Sequence, residues 1–251
     1  MKLPEELQCF VGTDEVVDRS GNSPAKVFET GEGFFIKCDE HGELAREYRI
    51  TKLFHQLGFG PEAVKYITRE RDYLVTRKIT GEDLTKDFHD PHRTCRILAD
   101  ALRALHDQPV QPDDTVIPVS SRYARYLASA AGDLTGGYYD PSVYTDEYRL
   151  SSKEEAWEIM QSSRHLLRCD TLIHGDACLP NMIQKDGAFR SFIDVSMGGI
   201  GDRHIDLYWA IWSLQYNFKT NAYADEFLDD YGRECVSKDM FKVIAAFEAF
   251  G

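Results

Sequence analysis

At Gly81 the sequence changes its period. Before it, apolar residues alternate in short runs broken by turn residues; after it, they recur every three or four positions over long segments. Glu15 to Ser20, Ala25 to Thr30 and Phe34 to Asp39 read as strands, the last two joined through Gly31-Glu32-Gly33. Ala63 to Thr68 and Asp72 to Ile79 read as a further hairpin around Arg69-Glu70-Arg71. One amphipathic helix, Glu43 to Leu57, interrupts them, with Leu44, Tyr48, Leu53, Phe54 and Leu57 as its apolar residues and Gly58 as its C-terminal cap. A sheet of about five antiparallel strands with one inserted helix follows from this pattern.

Beyond Gly81 the spacing predicts helices over 93–106, 121–131, 153–167, 203–217, 221–231 and 237–250. One hairpin interrupts them, Met182 to Gln184 and Phe189 to Val195 flanking the turn Lys185-Asp186-Gly187. Gly132 to Ser142 is the most loop-like stretch, and no repeat is visible. The expectation is an α+β fold in two lobes, a sheet lobe over 1–79 and a mainly helical lobe over 80–251. A length of 251 residues suits one domain or two intimate lobes and excludes a multidomain assembly.

The formal net charge of −13 argues against a nucleic-acid binder, whose excess charge is cationic, and points to a cationic partner. The N-terminus lacks an apolar signal region, and no run approaches the ~18 apolar residues of a membrane span. No membrane association and a cytoplasmic location are expected. The six cysteines contain no C-x-x-C pair, which suggests reduced thiols and neither a zinc knuckle nor a disulfide framework.

Reactive side chains are densest in His174-Gly175-Asp176-Ala177-Cys178-Leu179-Pro180-Asn181, followed by Phe192-Ile193-Asp194. An apolar strand end delivers His174 and Asp176 into a loop, Pro180 stops that loop continuing as helix, and the hairpin returns Asp194 alongside Asn181. Two carboxylates and an amide oxygen are hard donors, which suits Mg²⁺ bound with substrate phosphates and suits zinc poorly.

These residues resemble the catalytic and metal-binding signature of the aminoglycoside phosphotransferases, relatives of the protein kinases. The chain is similar to the aminoglycoside 3'-phosphotransferases at further landmarks in the same order: Gly21-Asn22-Ser23-Pro24-Ala25-Lys26-Val27-Phe28, Phe34-Phe35-Ile36-Lys37, Arg46-Glu47 and Gly201-Asp202-Arg203-His204-Ile205-Asp206-Leu207. The similarity runs from about Asp14 to Phe250.

The resemblance implies a kinase-like fold with ATP in the cleft and the acceptor on the helical side. Asp176 would accept the proton of the attacking hydroxyl, while Asn181 and Asp194 would hold Mg²⁺. Lys37 would contact the α- and β-phosphates with Glu47 fixing its ammonium, and Ser23 would cap the β-phosphate. Phe35 would lie under the adenine, with the backbone of Arg77, Lys78 and Ile79 along its edge. Read alone, Lys37 is a solvated strand lysine, Glu47 a surface helix glutamate and Phe35 a core aromatic; their order ahead of the catalytic loop changes that reading. His174 is read as bracing the loop, and Asp206 as hydrogen-bonding loop backbone.

For the acceptor, Glu155 and Glu248 match acidic positions of the resembled family, and Phe250 lies near its terminal phenylalanine. Ser152, Tyr216, Asn217 and Phe247 stand where carboxylates are expected, Met197 and Trp212 where arginines are, and Gly251 extends the chain past Phe250. The implied activity is transfer of the ATP γ-phosphoryl group to a hydroxyl of a cationic aminoglycoside, the 3'-hydroxyl, by a monomer or weak dimer. Rival readings are a kinase of another small alcohol, a metal-dependent hydrolase built on His174-x-Asp176 and His204-x-Asp206, and a silent binding protein.

Overall fold

The computed structural model describes residues 3–12, 16–21, 24–86, 89–109, 123, 126 and 138–251. The chain forms two compact units, Met1–Gly81 with Arg190–Ser196, and Glu82–Phe189 with Met197–Gly251.

The first unit is built on a five-stranded antiparallel sheet of β1 (Val17–Asp18), β2 (Lys26–Glu29), β3 (Phe34–Glu40), β4 (Ala63–Thr68) and β5 (Arg71–Arg77), in the order β1-β2-β3-β5-β4. Period-two alternation divides β3 between two faces. Ile36 and Cys38 join Leu7, Ile67, Tyr73 and Val75 in a core that the N-terminal turn Glu5–Leu7 and helix α1 (Gln8–Val11) help to cover. Phe35 and Lys37 take the other face, the side of helix α2 (Leu44–Gln56).

Helix α2 ends in a Schellman motif, with Gly58 at φ +82°, its N–H bonded to the His55 carbonyl and the Phe59 N–H to the Phe54 carbonyl. Its buried residues are Leu44, Glu47, Ile50, Thr51 and Phe54, and Leu57 is exposed. The buried stripe is therefore centred on a carboxylate, which a count of apolar residues alone misses. At the helix start Glu43 provides no side-chain cap. Asp72 of β5 caps it from the sheet: its Oδ2 accepts the Leu44 N–H at 3.1 Å and the Tyr66 hydroxyl at 2.8 Å. Tyr66 in turn stacks on Tyr48 of α2 at 4.9 Å.

Arg190–Ser196 joins this unit through the Phe192 N–H, 2.7 Å from the Phe59 carbonyl, through edge-on contact between the Phe54 and Phe192 rings, and through the Arg46 guanidinium, which donates to the Ser196 carbonyl.

The second unit is mainly helical. Helix α3 (Pro91–His106) starts two residues earlier than the apolar spacing implies, because Asp90 caps the Arg93 N–H and Pro91 fits the first turn. Helices α4 (Lys153–Ser163), α5 (Arg203–Phe218), α6 (Ala224–Tyr231) and α7 (Lys238–Glu248) follow, with α3 packed on α6 and α4 on α7. Ile205, Leu207, Tyr208, Ile211 and Leu214 of α5 are buried, as are Phe227, Phe241 and Ile244. The expected helix over 121–131 lies outside the described residues apart from Tyr123 and Tyr126, both helical.

Short strands position the loops. β6 (Glu82–Asp83) pairs with β8 (Met182–Lys185), and β7 (Thr171–Ile173) pairs with β10 (Gly199–Gly201). The turn from β8 into β9 (Ala188–Phe192) has positive φ at both Asp186 and Gly187, as a type I′ hairpin demands. The six cysteines, all among the described residues, form no disulfide. Among the described residues no helix is long and apolar enough to cross a membrane.

Candidate active site

Each unit carries one cluster. In the first, register sets Lys37 of β3 opposite Leu74 of β5, with its side chain toward α2. Its ammonium lies 2.8 Å from Glu47 Oε2 and 3.0 Å from Asp194 Oδ1. Burial draws the lysine down, but the two carboxylates outweigh it and hold Lys37 above its ordinary range. Burial pushes Glu47 up, and the nearby Asp194 charge adds to this against the pull of Lys37. One ammonium shared by two carboxylates accounts for both directions. Asp194 sits at φ +53°, a backbone region that Asp tolerates better than most residues, and its side chain is exposed. Its Oδ2 remains to be offered as an oxygen donor.

In the second cluster, β7 ends at Ile173 and the chain turns through Gly175 at φ +83°. A Cβ there would lie 2.2 Å from the Met197 carbonyl oxygen, so only glycine fits. The His174 and Gly175 N–H groups both donate to the fully buried Asp206 of α5, at 2.7 Å each. Asp206 is also bonded to His106 Nε2 at 3.0 Å, whose Nδ1 meets the Tyr231 hydroxyl at 2.8 Å. The loop preceding Asp176 is thus tied through α5 to α3 and α6. Asn181 donates from Nδ2 to the Asp176 carbonyl at 3.0 Å and to Asp176 Oδ2 at 2.9 Å. This orients the carboxylate, and the Asn181 side chain keeps its carbonyl oxygen as a hard donor. Leu179 N–H donates to Ser213 Oγ of α5, fixing the loop's far end. Burial, reinforced by Asp176, pushes the Cys178 thiol well above its ordinary range.

Burial alone would raise the Asp206 carboxyl, but His106 and the loop N–H groups outweigh it and hold it below its ordinary value. Its folded value then lies below the unfolded one near 3.9, so its contribution is present above about pH 4 and is lost as pH falls through the folded value. Asp206→Ala orphans three buried donors and is expected to lower stability by about 3–5 kcal/mol at neutral pH. The deficit should shrink on acidification below about pH 4. Urea midpoints measured against pH check both; a deficit unchanged at acid pH refutes an ionised Asp206 anchor.

The predicted residues are placed as follows. Ser23 lies outside the described residues. Phe35 is half-buried and paired with Thr76. The Arg77 and Lys78 N–H groups are bonded to the Glu62 and Gly33 carbonyls, so of the Arg77-Lys78-Ile79 donors the Ile79 N–H is the one left for a ligand edge. The Arg77 side chain pairs with Glu62 at 2.8 Å and lies over the Phe34 ring.

Among acceptor candidates, Glu155 accepts the Ser151 N–H at 2.7 Å and hydroxyl at 2.5 Å, while Ser152 caps the Glu155 N–H at 3.2 Å. This is a capping arrangement at the start of α4. Glu248 is buried and accepts the Tyr123 hydroxyl at 3.2 Å. The Phe250 ring is buried against Tyr139, with the Lys153 ammonium over it. Phe247 is buried against Tyr123, and Asn217 donates to Ser213 Oγ, the atom that also accepts the Leu179 N–H.

Sequence reasoning missed Asp72, His106 and Tyr231. A charged residue inside a buried strand is a signal for the first; the other two have none without tertiary contacts. Of the hydrolase pairings, His204-x-Asp206 is committed elsewhere: His204 uses Nδ1 on Asp202 at 2.6 Å and Nε2 on the Ser237 N–H at 2.9 Å, and Asp206 uses both oxygens on the loop. Among the described residues no group of three or more His, Cys, Asp or Glu is arranged to hold a metal. Magnesium bound with phosphates needs only one or two protein oxygens, and the Asp194 carboxylate of the first unit and the Asn181 carbonyl of the second are each oxygen donors of the kind it takes.

Comparison with known proteins follows the same lines. The phosphotransferase enzyme family pattern matches residues 16–243. The chain is 34% identical to a probable aminoglycoside 3'-phosphotransferase of Lactococcus lactis, over 100% of this chain and 95% of that protein. It is 31% identical to the streptomycin 3''-kinase of Streptomyces griseus, over 78% and 76%. An aminoglycoside phosphotransferase from Streptomyces rimosus superposes with a TM-score of 0.75 over 97% of this chain and 95% of that one, at 20% identity. A structure of that enzyme with ADP and streptomycin gives 0.73 over 92% and 94%, at 18% identity.

Proposed function

The chain belongs to the phosphotransferase enzyme family, and from that premise we propose that it transfers the γ-phosphoryl group of ATP to a hydroxyl of an aminoglycoside, the 3'-hydroxyl, as a resistance enzyme. The observation that carries the reading is the Lys37 ammonium held within 3.0 Å of both Glu47 and Asp194. A cation fixed in this way is a phosphate clamp, and phosphoryl transfer depends on such positioning more than on covalent chemistry.

Asp176 Oδ1 accepts the proton of the attacking hydroxyl, while Asn181 holds Oδ2 and sets the angle of the carboxylate. Lys37 neutralises the α- and β-phosphates, and Glu47 keeps its ammonium from swinging away. Phe35 provides an aromatic face for the adenine, and the Ile79 N–H with the neighbouring carbonyls provides its polar edge. Ser23 caps the β-phosphate. Asn181 and Asp194 would supply oxygen to magnesium, which would offset the charge of the phosphates. Glu155 and Glu248 are the acceptor's carboxylate partners, and Phe250 packs the base of that region.

Purified protein should release ADP from ATP and magnesium only when an aminoglycoside is present, with the product phosphorylated at the 3' position by NMR. Release driven instead by a neutral alcohol such as choline, homoserine or a simple sugar assigns another acceptor, and ester hydrolysis without nucleotide overturns the kinase reading altogether.

A further inference from the structure

A second feature of α5 lies beside the stripe that braces the catalytic loop. Ser213 and Asn217 bond toward Leu179, and the Trp209 carbonyl receives the Cys178 thiol. One position round the helix, Trp209, Trp212 and Tyr216 form an aromatic ladder at spacings of three and four. Trp209 and Trp212 meet edge-on at 5.5 Å, and Trp212 and Tyr216 stack at 5.0 Å with their planes 8° apart. Tyr216 is 58% exposed, so its ring is open to a ligand in solution.

The ladder's last two rings, Trp212 and Tyr216, wall a pocket of about 530 Å³ whose other side is the segment around Ser142, Tyr144 and Asp146. The Trp212 indole N–H donates to the Ser142 carbonyl at 3.0 Å, and the Asp146 N–H donates to Gln215 Oε1 at 3.1 Å, so both walls are fixed to each other. Asp146 pairs with Arg149 at 4.0 Å, both largely exposed.

The stack leaves one Tyr216 face, and Lys219 fills it: its ammonium lies 4.2 Å from the ring centroid. Lys219 holds a left-handed conformation, φ 58° and ψ 29°, at the C-terminal cap of α5, where glycine or asparagine is less strained. The chain thus places its own cation on an aromatic face of a pocket on the helix that also anchors the loop of Cys178 and Leu179. A ring face that holds one primary ammonium will hold another of the same chemistry.

We propose that the Tyr216 face is an ammonium seat of the acceptor pocket and that Lys219, which occupies it in competition, sets how strongly polyammonium sugars bind. This rests on the acceptor reading above. An amino group of the acceptor displaces the Lys219 ammonium, whose flexible stem carries it into solvent; Asp146 attracts a second amino group across the pocket. The displaced lysine stays near and opposes the acceptor's charge, so its removal favours binding, whereas removal of the ring abolishes the seat.

Isothermal titration of kanamycin into the full chain, with turnover measured in parallel, tests this. Lys219→Met keeps the stem without the charge and is expected to tighten binding about two- to fivefold, and Tyr216→Leu to weaken it by a similar factor. In the double variant the tightening should vanish. Melting temperatures near that of the wild type confirm that the exposed substitutions leave the fold intact. Affinities unchanged in both single variants, or no binding by the wild type at millimolar kanamycin, overturn the seat. Binding that responds as expected in a protein releasing no ADP overturns the acceptor reading and leaves the seat standing.

Discussion

Asp176→Asn is expected to lower acceptor-dependent turnover by about 10²- to 10⁴-fold, the range of a lost general base, with little change in the KM for ATP. The substitution keeps the volume and one carbonyl oxygen, so the hydrogen bond from Asn181 Nδ2 survives, and the loop's anchoring by His174 and Gly175 on Asp206 does not involve the Asp176 charge. What disappears is the carboxylate's ability to take a proton. A loss of kcat and kcat/KM by the same factor marks an interaction made only in the transition state. Steady-state ADP release across acceptor concentrations reads both numbers, and a variant retaining the full rate rules out Asp176 as the base.

Strand and helix periods are local properties, so individual elements could be read along the chain. Phe34 to Asp39 predicted β3 because alternation places Ile36 and Cys38 on one face and Phe35 and Lys37 on the other, and the structure shows this division. Asp186-Gly187 predicted its hairpin because few other residues accept two consecutive positive φ values. Gly58 marked the end of α2 for the same reason.

Long-range partners were not legible. The apolar residues of α2 suggested a stripe running to Leu57, whereas the buried stripe runs through Glu47, because Lys37 makes a carboxylate acceptable inside. Nothing near Asp72 announces that it caps a helix that starts 28 residues earlier, since a cap supplied from a neighbouring strand leaves no local pattern. Arg190–Ser196 looked like part of the helical region but is drawn to the sheet unit by Phe59, Arg46 and Lys37. The catalytic candidates were legible as a motif; the network that holds them, Tyr231 to His106 to Asp206, was not.

Asp194→Ala is expected to reduce turnover by about 10³-fold or more, the scale on which charged clamps act on phosphoryl groups, while barely changing the melting temperature. The two expectations separate because the roles differ. For stability, Asp194 is 52% exposed and its ion pair with Lys37 is one of two, so its loss contributes at most about 1 kcal/mol. For activity, the carboxylate is the negative group proposed to bind magnesium with the phosphates, and Glu47, committed to Lys37 and buried, cannot replace it. Alanine also fits φ +53° less well than aspartate, so Asp194→Asn, which tolerates that backbone, distinguishes charge from strain. Both variants should fail to recover when magnesium is raised, and zinc should not restore them. Turnover within tenfold of the wild type in Asp194→Asn at ordinary magnesium would show that the charge is dispensable and that the metal is held by other groups.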